Sequence, residues 1–354
     1  MEHVVKLVRG ETVNDPRPNK ALRPADYRWL LRGYPHADLM IQAATDGLRP
    51  TWIRDQPRQQ TRPKNHNSAS RFARAVAKSI RNDQEAGQYL VVDGSVLLLW
   101  ADVQISPLGA VEKPGIDPWQ EIRLIHDLKR PIGSSTNEAS DRSDLPKLTY
   151  VPIAMLARRI DWLFDQDPRL AIRMMKGDVK GAFRHLMLHW SSVRWMGALI
   201  DAGKTLVIDL SAPFGWTSSP TYYGAFGGAI SWLVRRESPA LLDHDEEDTE
   251  SFFAYEWVDD HVLIEHDVGN RLRLAAAALR TSMMAVFGPR AMNEKKFSGW
   301  EPRLEVLGLE FDLDSRTISM PARKIAKACS RPFSGHAHGA LAAAWHSPAH
   351  LHML

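Results

Sequence analysis

The sequence predicts an α+β fold in which antiparallel strand pairs alternate with helices. Short apolar runs are repeatedly joined by turn residues: DAGK (residues 201–204), for example, separates RWMGALI from TLVIDL, which is typical of a hairpin. Between such pairs, apolar residues recur at helical spacing. The strands do not alternate one by one with helices, as a parallel βαβ sheet requires, so we expect antiparallel sheets with packed helices.

The N-terminal part of the chain predicts little regular structure at first and then a helix and a hairpin. Residues 1–68 are rich in Pro, Arg and Asn and weakly periodic, so we expect a partly disordered extension. Residues 68–82 favour a short basic helix. In residues 88–100, QYLVVDGSVLLLW, the pair Asp93-Gly94 between two apolar runs predicts a hairpin.

The remaining elements are predicted from the same two patterns, apolar runs joined by turn residues and apolar residues at helical spacing. Residues 106–128 predict a hairpin with EKPGIDP as its loop, and residues 150–165 carry apolar residues at helical spacing. AIRMMKGDV predicts a strand that ends at Asp178. Further helices are expected from Ser219, the predicted N-cap, and over residues 270–287, which Gly288 closes. LEVLGLEFDLDSRTISMP predicts a last hairpin, and residues 333–354 predict an irregular tail.

The composition indicates a globular protein with a core. Hydrophobic residues make up 44% of the 354 residues and charged residues 25%. The net charge of +3 permits a polyanionic partner. The single cysteine, Cys329, excludes an internal disulfide and a cysteine-based zinc site, so we expect an intracellular location in the cytoplasm, the nucleus or both. No signal peptide and no run of about 18 apolar residues is found, so no membrane partner is expected.

Charge is unevenly distributed along the chain. One basic run carries cations at Arg54, Arg58, Arg62, Lys64, Arg71, Arg74, Lys78 and Arg81. Because Trp52, His66 and Phe72 are interleaved with them, this run suits a nucleic-acid strand. An acidic run contains Asp243, Asp245, Glu246, Glu247, Asp248 and Glu250. For this second run we favour a solvated surface.

Three carboxylates follow apolar strands and form a candidate site. YEWVDDHVLIEHD places Asp259 and Asp260 between two apolar runs, at a two-residue turn, and Asp178 ends another strand. An exposed turn is the ordinary alternative, because Asp is a favoured turn residue. If strand and hairpin share a sheet, Asp178 and Asp259 converge and would suit a pair of Mg²⁺ or Mn²⁺ ions about 3.5–4 Å apart, a site for phosphoryl or nucleotidyl transfer.

Six motifs in order resemble the reverse transcriptases of retroelements, in particular those of DIRS-type and Ty/gypsy-type retrotransposons. The motifs are SPLGAVEKPG with IRLIHDL, KGDVKGAF, APFGWTSSP, WVDDHV, NEKKF and LEVLGLEFD, and they cover roughly residues 65–325. The resemblance implies a polymerase palm of antiparallel sheet and helices, with fingers and an incomplete thumb. It implies fingers over 69–150, a palm over 151–300, and a primer-holding hairpin with the start of a thumb over 301–332.

The resemblance also implies roles for individual residues. Asp178 and Asp259 match the catalytic aspartates and Asp260 their acidic neighbour, with the Val179 carbonyl as an auxiliary metal ligand. Lys296, with Lys295 as the alternate, matches a lysine that protonates the pyrophosphate leaving group. A solvated charge is the ordinary alternative for either lysine.

Other matched residues would contact the nucleotide and the template. Phe183, five residues after Asp178, matches a steric gate against the ribose 2′-OH. An ordinary core Phe on a short helix is the alternative, and the spacing favours the gate. Arg123 matches the fingers arginine that pairs with incoming phosphates, and Lys113 is a candidate for the fingers-loop lysine. Gly215, with Ser218, Ser219 and Pro220, matches the segment under the nascent base pair.

The sequence departs from the family pattern at several points. Trp257 stands where the family has Tyr beside the primer terminus, and Phe214 replaces the more usual Gln. A full thumb and an RNase H site are not recognisable, so we expect a truncated open reading frame.

The leading hypothesis is an RNA-directed DNA polymerase that uses an RNA or DNA template, a primer strand and deoxynucleoside triphosphates. The alternatives are an inactive remnant that binds nucleic acid and an RNA-dependent RNA polymerase, which Phe183 disfavours because ribonucleotides need a polar partner for the 2′-OH.

Overall fold

The computed structural model describes residues 1–55, 59, 61–330 and 351–352, and it confirms an α+β fold of antiparallel sheets and packed helices. The helices are α1 (Glu2–Val8), α2 (Pro24–Leu30), α3 (Ala37–Asp46), α4 (Asn67–Arg71), α5 (Ala73–Glu85), α6 (Thr136–Ala139), α7 (Ala154–Gln166), α8 (Ser219–Val234), α9 (Pro239–Leu242), α10 (Arg271–Phe287) and α11 (Ala322–Cys329). The strands are β1 (Tyr89–Asp93), β2 (Leu108–Glu112), β3 (Ile122–His126), β4 (Ile172–Asp178), β5 (Gly197–Ile200), β6 (Thr205–Asp209), β7 (Tyr255–Trp257), β8 (Asp260–His266), β9 (Arg303–Val306), β10 (Leu309–Asp312), β11 (Thr317–Ser319) and β12 (Leu351–His352). Apart from β12, the predicted tail lies outside the described residues, as does Arg58 of the basic run.

The chain divides into two compact units. The first unit comprises Met1–Leu148, Gly181–Ala229 and Val286–Gly288, and the second comprises Thr149–Lys180, Ile230–Ala285 and Pro289–Leu354. No helix in the described part of the chain is both long and apolar enough to cross a membrane.

The first unit contains a three-stranded sheet, in the order β1-β6-β5, and the β2-β3 hairpin. Its antiparallel pairs β5-β6 and β2-β3 are those that the sequence predicts. Apolar side chains of α4, α5 and these strands share one core, which includes Phe72, Ile80, Leu108 and Val207. The predicted basic helix is therefore present, although Phe72 separates α4 from α5.

Two predictions for the first unit need correction. Within residues 1–68, expected to be a partly disordered extension, residues 2–46 contain α1, α2 and α3 and bury Val5, Tyr27 and Met40. The hairpin predicted at Asp93-Gly94 is also wrong, since β1 pairs with β6 and a 3₁₀ turn follows it. The Asp93 carboxylate accepts a hydrogen bond from the Ser95 amide, so it caps a helical turn.

The second unit is built on a three-stranded antiparallel sheet in the order β4-β8-β7. Helix α7 covers it with Leu156, Ile160 and Leu163, which share a core with residues of β4, β8 and β10. A second sheet has the order β12-β11-β10-β9, so the predicted last hairpin is in fact two successive hairpins.

Candidate active site

The sheet of the second unit brings the three predicted aspartates together. Asp178, the last residue of β4, is the register partner of Asp260, the first residue of β8. The Val179 amide donates a hydrogen bond to the Asp259 carbonyl at 3.1 Å, which ties the hairpin turn to the chain after β4. Antiparallel pairing therefore places Asp178, Asp259 and Asp260 at one end of the sheet.

The turn between β7 and β8 lies one residue earlier than the sequence predicts. Trp257 pairs with Asp260, so the two turn residues are Val258 and Asp259, while Asp260 belongs to the strand. Val258 has a φ of 55°, a left-handed conformation that β-branched residues rarely adopt. Strain of this kind is found where the surrounding structure fixes a functional geometry.

Two side chains that follow α10 hold the Asp178 carboxylate. Asn293 Nδ2 donates to Oδ1 at 2.6 Å, and Lys296 Nζ donates to Oδ2 at 2.7 Å. The Asn293 amide also donates to the Asp178 carbonyl at 3.1 Å. Asn293 is a site residue that the sequence analysis missed, because a single asparagine in a loop forms no pattern.

The local backbone explains which of the two predicted lysines meets Asp178. Glu294–Lys296 form a 3₁₀ turn that Asn293 precedes. Residues three apart are eclipsed in such a turn, so Asn293 and Lys296 point the same way. Lys295 is exposed and makes no such contact with Asp178.

A glycine lets the segment after α10 approach β4 closely. A Cβ on Gly177 would lie 2.8 Å from Cζ of Phe297, closer than packed atoms come. The ring of Phe297 also lies under the Arg280 guanidinium, 4.1 Å from its centroid. These contacts fix the position of Phe297, which directly follows Lys296.

Burial and mutual repulsion make the carboxylates of Asp259 and Asp260 harder to ionise. Burial, then the neighbouring charges of Asp178 and Asp260, raise the pKa of Asp259 to about 6. The pKa of Asp260 is raised by burial and by the charge of Asp178. Burial lowers the pKa of Lys296, but its hydrogen bond and attraction to Asp178 outweigh that, so its pKa is raised. Such a cluster of carboxylates is stabilised by added positive charge.

The donor chemistry of this cluster suits a hard divalent cation, since carboxylate oxygens are the ligands that Mg²⁺ and Mn²⁺ prefer. Within residues 1–55, 59, 61–330 and 351–352, however, no three His, Cys, Asp or Glu side chains already form a metal-ligand set. The Asp178 oxygens are directed to Asn293 and Lys296 instead. The carboxylate oxygens are therefore suitable ligands for Mg²⁺ or Mn²⁺, but Lys296 occupies the position beside Asp178 Oδ2 that such a cation would take.

An exposed aromatic pair lies beside the hairpin turn. The indole of Trp257, 41% exposed, and the ring of Tyr150, 45% exposed, have centroids 5.4 Å apart. Exposed aromatic rings present faces on which a nucleic-acid base can stack.

In the first unit, Phe183 is packed among aromatic rings. Its ring centroid lies 4.9 Å from that of Phe214 and 5.7 Å from that of Tyr223, and Phe183 is 8% exposed. Phe214 is 38% exposed, so the Phe183 ring lies directly behind a surface ring.

The segment around Gly215 is fixed by hydrogen bonds. Asn137 Nδ2 donates to the Gly215 carbonyl at 2.9 Å, and its Oδ1 accepts from the Thr217 amide at 3.0 Å. Gly215 has a φ of 120°, and a Cβ there would lie 1.8 Å from the His126 carbonyl oxygen. Only glycine allows the backbone at this position to come so close to the His126 carbonyl, and the carboxamide of Asn137 holds the loop in place.

A buried ionic network that the sequence analysis missed lies next to Phe183. The Asp209 carboxylate, fully buried, pairs with the guanidinium of Arg184 and with Nδ1 of His126 at 3.1 Å. His126 Nε2 lies 3.1 Å from the Gly197 carbonyl oxygen. The network joins the turn that carries Phe183 to β3, β5 and β6, over sequence separations that no local pattern reveals.

The two predicted fingers cations lie on the β2-β3 hairpin. Arg123, the register partner of Val111, is exposed. Lys113 forms an ion pair with Glu121 on the same hairpin. The structure thus places both residues on one hairpin.

The aromatic residues of the basic run, which the sequence analysis assigned to contact with a nucleic-acid strand, serve packing and internal hydrogen bonds. Trp52 stacks on Trp195 with centroids 4.5 Å apart, Phe72 is 2% exposed, and His66 hydrogen-bonds Asp127 at 2.8 Å. The exposed cations of α4 and α5 remain a basic face; they are Arg71, Arg74, Lys78 and Arg81.

The acidic run is also not a merely solvated surface. Asp248 pairs with Arg271 at 2.7 Å, and Glu250 pairs with Arg159 at 3.0 Å. Both arginines also bind the buried Glu265, Arg271 at 2.8 Å and Arg159 at 3.0 Å. The run completes a network of charges around β8.

The overall fold is similar to that of solved reverse transcriptases. The foamy viral protease-reverse transcriptase dRH in complex with double-stranded DNA matches with a TM-score of 0.56 and 13% identity, over 92% of this chain and 49% of that chain. The foamy viral protease-reverse transcriptase in complex with double-stranded DNA matches with a TM-score of 0.52 and 13% identity, over 86% of this chain and 57% of that chain. The chain thus spans about half the length of these structures. No family model and no curated protein matches the sequence. At this identity the likeness shows a reverse transcriptase-like fold.

Proposed function

We propose that the chain is an RNA-directed DNA polymerase of a retroelement, similar to the DIRS and Ty/gypsy types, that adds deoxynucleotides to a primer 3′-OH. The observation that carries this proposal is the convergence of Asp178, Asp259 and Asp260 at one end of the β4-β8-β7 sheet, with Lys296 on Asp178. A reverse transcriptase-like fold supports it. The order of the six sequence motifs supports it independently.

Asp178 and Asp259 would hold Mg²⁺ or Mn²⁺, with the Val179 carbonyl as a further ligand and Asp260 adjacent. Bound cations would supply activation of the primer hydroxyl and stabilisation of charge on the reacting phosphate. In the reaction the primer hydroxyl loses its proton to solvent, its oxygen forms a bond to the α-phosphorus, and the bond from that phosphorus to pyrophosphate breaks. Lys296 holds a proton at Nζ that it gives to the leaving pyrophosphate.

The remaining predicted residues would bind the substrates. Phe183 excludes a ribose 2′-OH, and Gly215 lies under the nascent base pair. Arg123 and Lys113 pair with the triphosphate, and Trp257 contacts the primer terminus. The basic face of α4 and α5 carries positive charge suited to the phosphates of an RNA or DNA template.

The test is primer extension on an RNA template with the purified chain and the four deoxynucleoside triphosphates. We expect extension in Mg²⁺ or Mn²⁺, loss of extension with a chelator, and none with Asp178→Asn. A folded wild-type chain that extends no primer with either cation contradicts the proposal.

A further inference from the structure

Lys296 contacts Asp178 at an oxygen that a divalent cation would also need. Lys296 Nζ lies 2.7 Å from Oδ2, and the Asp178 side chain is 3% exposed. A buried carboxylate is stable only beside compensating positive charge or hydrogen-bond donors. In this structure the ammonium group of Lys296 supplies that charge.

The two oxygens of Asp178 are held differently. Oδ1 accepts a hydrogen bond from the neutral carboxamide of Asn293, which uses one lone pair of this oxygen. The backbone amide of Asn293 also donates to the Asp178 carbonyl. Oδ2 accepts from an ammonium whose side chain is 58% exposed, at the end of a flexible four-carbon stem. Lys296 can leave Oδ2 without backbone movement, whereas Asn293 is anchored through its backbone as well.

Resting on the proposed function, we propose that Lys296 and a divalent cation bind Asp178 in competition. Lys296 then sets the affinity of the site for the cation, and cation binding releases the Lys296 ammonium group. Asn293 stays in place and keeps the carboxylate oriented in both states. Before the cation binds, Lys296 neutralises Asp178. After the cation binds, the Lys296 ammonium group is available to a bound polyphosphate.

The first test measures Mn²⁺ binding to the full chain by electron paramagnetic resonance, without nucleotide or nucleic acid. Lys296→Met removes the ammonium and keeps an unbranched stem, while Lys295→Met removes the same charge from an exposed neighbour. We expect Lys296→Met to lower the Kd for Mn²⁺ by about three- to tenfold, since a partly exposed ion pair is a modest competitor. Lys295→Met should change it less than about twofold, through screened charge alone. Equal affinities in the two variants, or weaker binding in Lys296→Met, overturn the inference.

The second test uses the wild-type chain and needs no substitution. The rate of amine acylation at Lys296 is measured relative to Lys295 by mass spectrometry, with and without saturating Mg²⁺. Release from Asp178 should raise the relative rate at Lys296 at least about threefold, because an amine freed from a carboxylate is more accessible to the reagent. An unchanged or lower relative rate overturns the inference.

Asp178→Asn separates failure of this inference from failure of the proposed function. Mn²⁺ binding that is lost in Asp178→Asn but equal in the two lysine variants overturns the competition and leaves the cation site standing. A wild-type chain and a Lys296→Met chain that both bind no Mn²⁺ overturn both proposals.

Discussion

Asp178 and Asp260 are register partners across β4 and β8, so two carboxylates face each other at one end of an antiparallel sheet. Like charges opposite each other destabilise a strand pair. Their placement is understandable if the chain uses them to bind positive charge, which here comes from Lys296.

Replacement of Phe183 tests sugar selection. A ribose held against this ring would bury an unpaired hydroxyl at a cost of about 1–3 kcal/mol, or about 5- to 150-fold in rate. Phe183→Val should therefore raise the incorporation efficiency of ribonucleotides relative to deoxynucleotides. The matched control is Phe226→Val, at a fully buried position of the same unit, which should lower stability and leave the ratio unchanged. An unchanged ratio in active Phe183→Val would leave Phe183 as a core residue only.

Asn293→Ala tests whether this residue positions Asp178. Loss of its hydrogen bond to a charged carboxylate should lower kcat about tenfold, with little change in KM for the nucleotide, because the carboxylate loses its fixed orientation. Asn270→Ala removes an exposed asparagine whose bond is to Arg273 and serves as the control. Steady-state kinetics with normal kcat in Asn293→Ala would refute the positioning role.

The stability of the protein should fall in mild acid because of His261. Burial, aided by the charge of Arg235, lowers the pKa of His261 from 6.5 to about 3. The unfolded chain therefore binds more protons below pH 6.5, and the stabilisation present above that pH is progressively lost as pH falls towards 3. Between pH 7.5 and 5 the loss is about 2 kcal/mol for this one group.

Urea denaturation of wild type and His261→Gln across that pH range measures this contribution. The variant should lose less stability than the wild type on acidification, by about the same 2 kcal/mol. Parallel pH profiles for the two proteins would show that His261 does not titrate on unfolding.

Arg271→Met tests the buried charge network of the second unit. It leaves the fully buried Glu265 with Arg159 as its remaining partner cation in the described structure, and should lower the free energy of unfolding by about 3–5 kcal/mol. Arg273→Met breaks a 3.4 Å pair with Asp243 at a side chain that is 63% exposed, and should change stability by less than about 1 kcal/mol. Equal midpoints in urea for the two variants would be contrary to expectation.

Periodicity predicted the parts of the site that depend on local pattern. The apolar runs before Asp178 and around Asp259 predicted β4 and the β7-β8 hairpin, and α7 followed from its helical spacing. The exact turn was missed by one residue, because Val258 takes a conformation that its residue type disfavours. Asn293, and the pairing of Asp209 with Arg184 and His126, depend on contacts between distant segments and could not be predicted from the sequence.

Single-nucleotide incorporation by Asp259→Asn on an RNA template tests the central claim most directly. The substitution keeps the shape of the side chain and removes the charge that would hold the cation, so we expect incorporation to fall by about 10³-fold or more with the fold retained. Asp267→Asn, at an exposed aspartate just after β8, is the control and should incorporate like the wild type. Incorporation by folded Asp259→Asn at a rate close to that of the wild type would contradict the account.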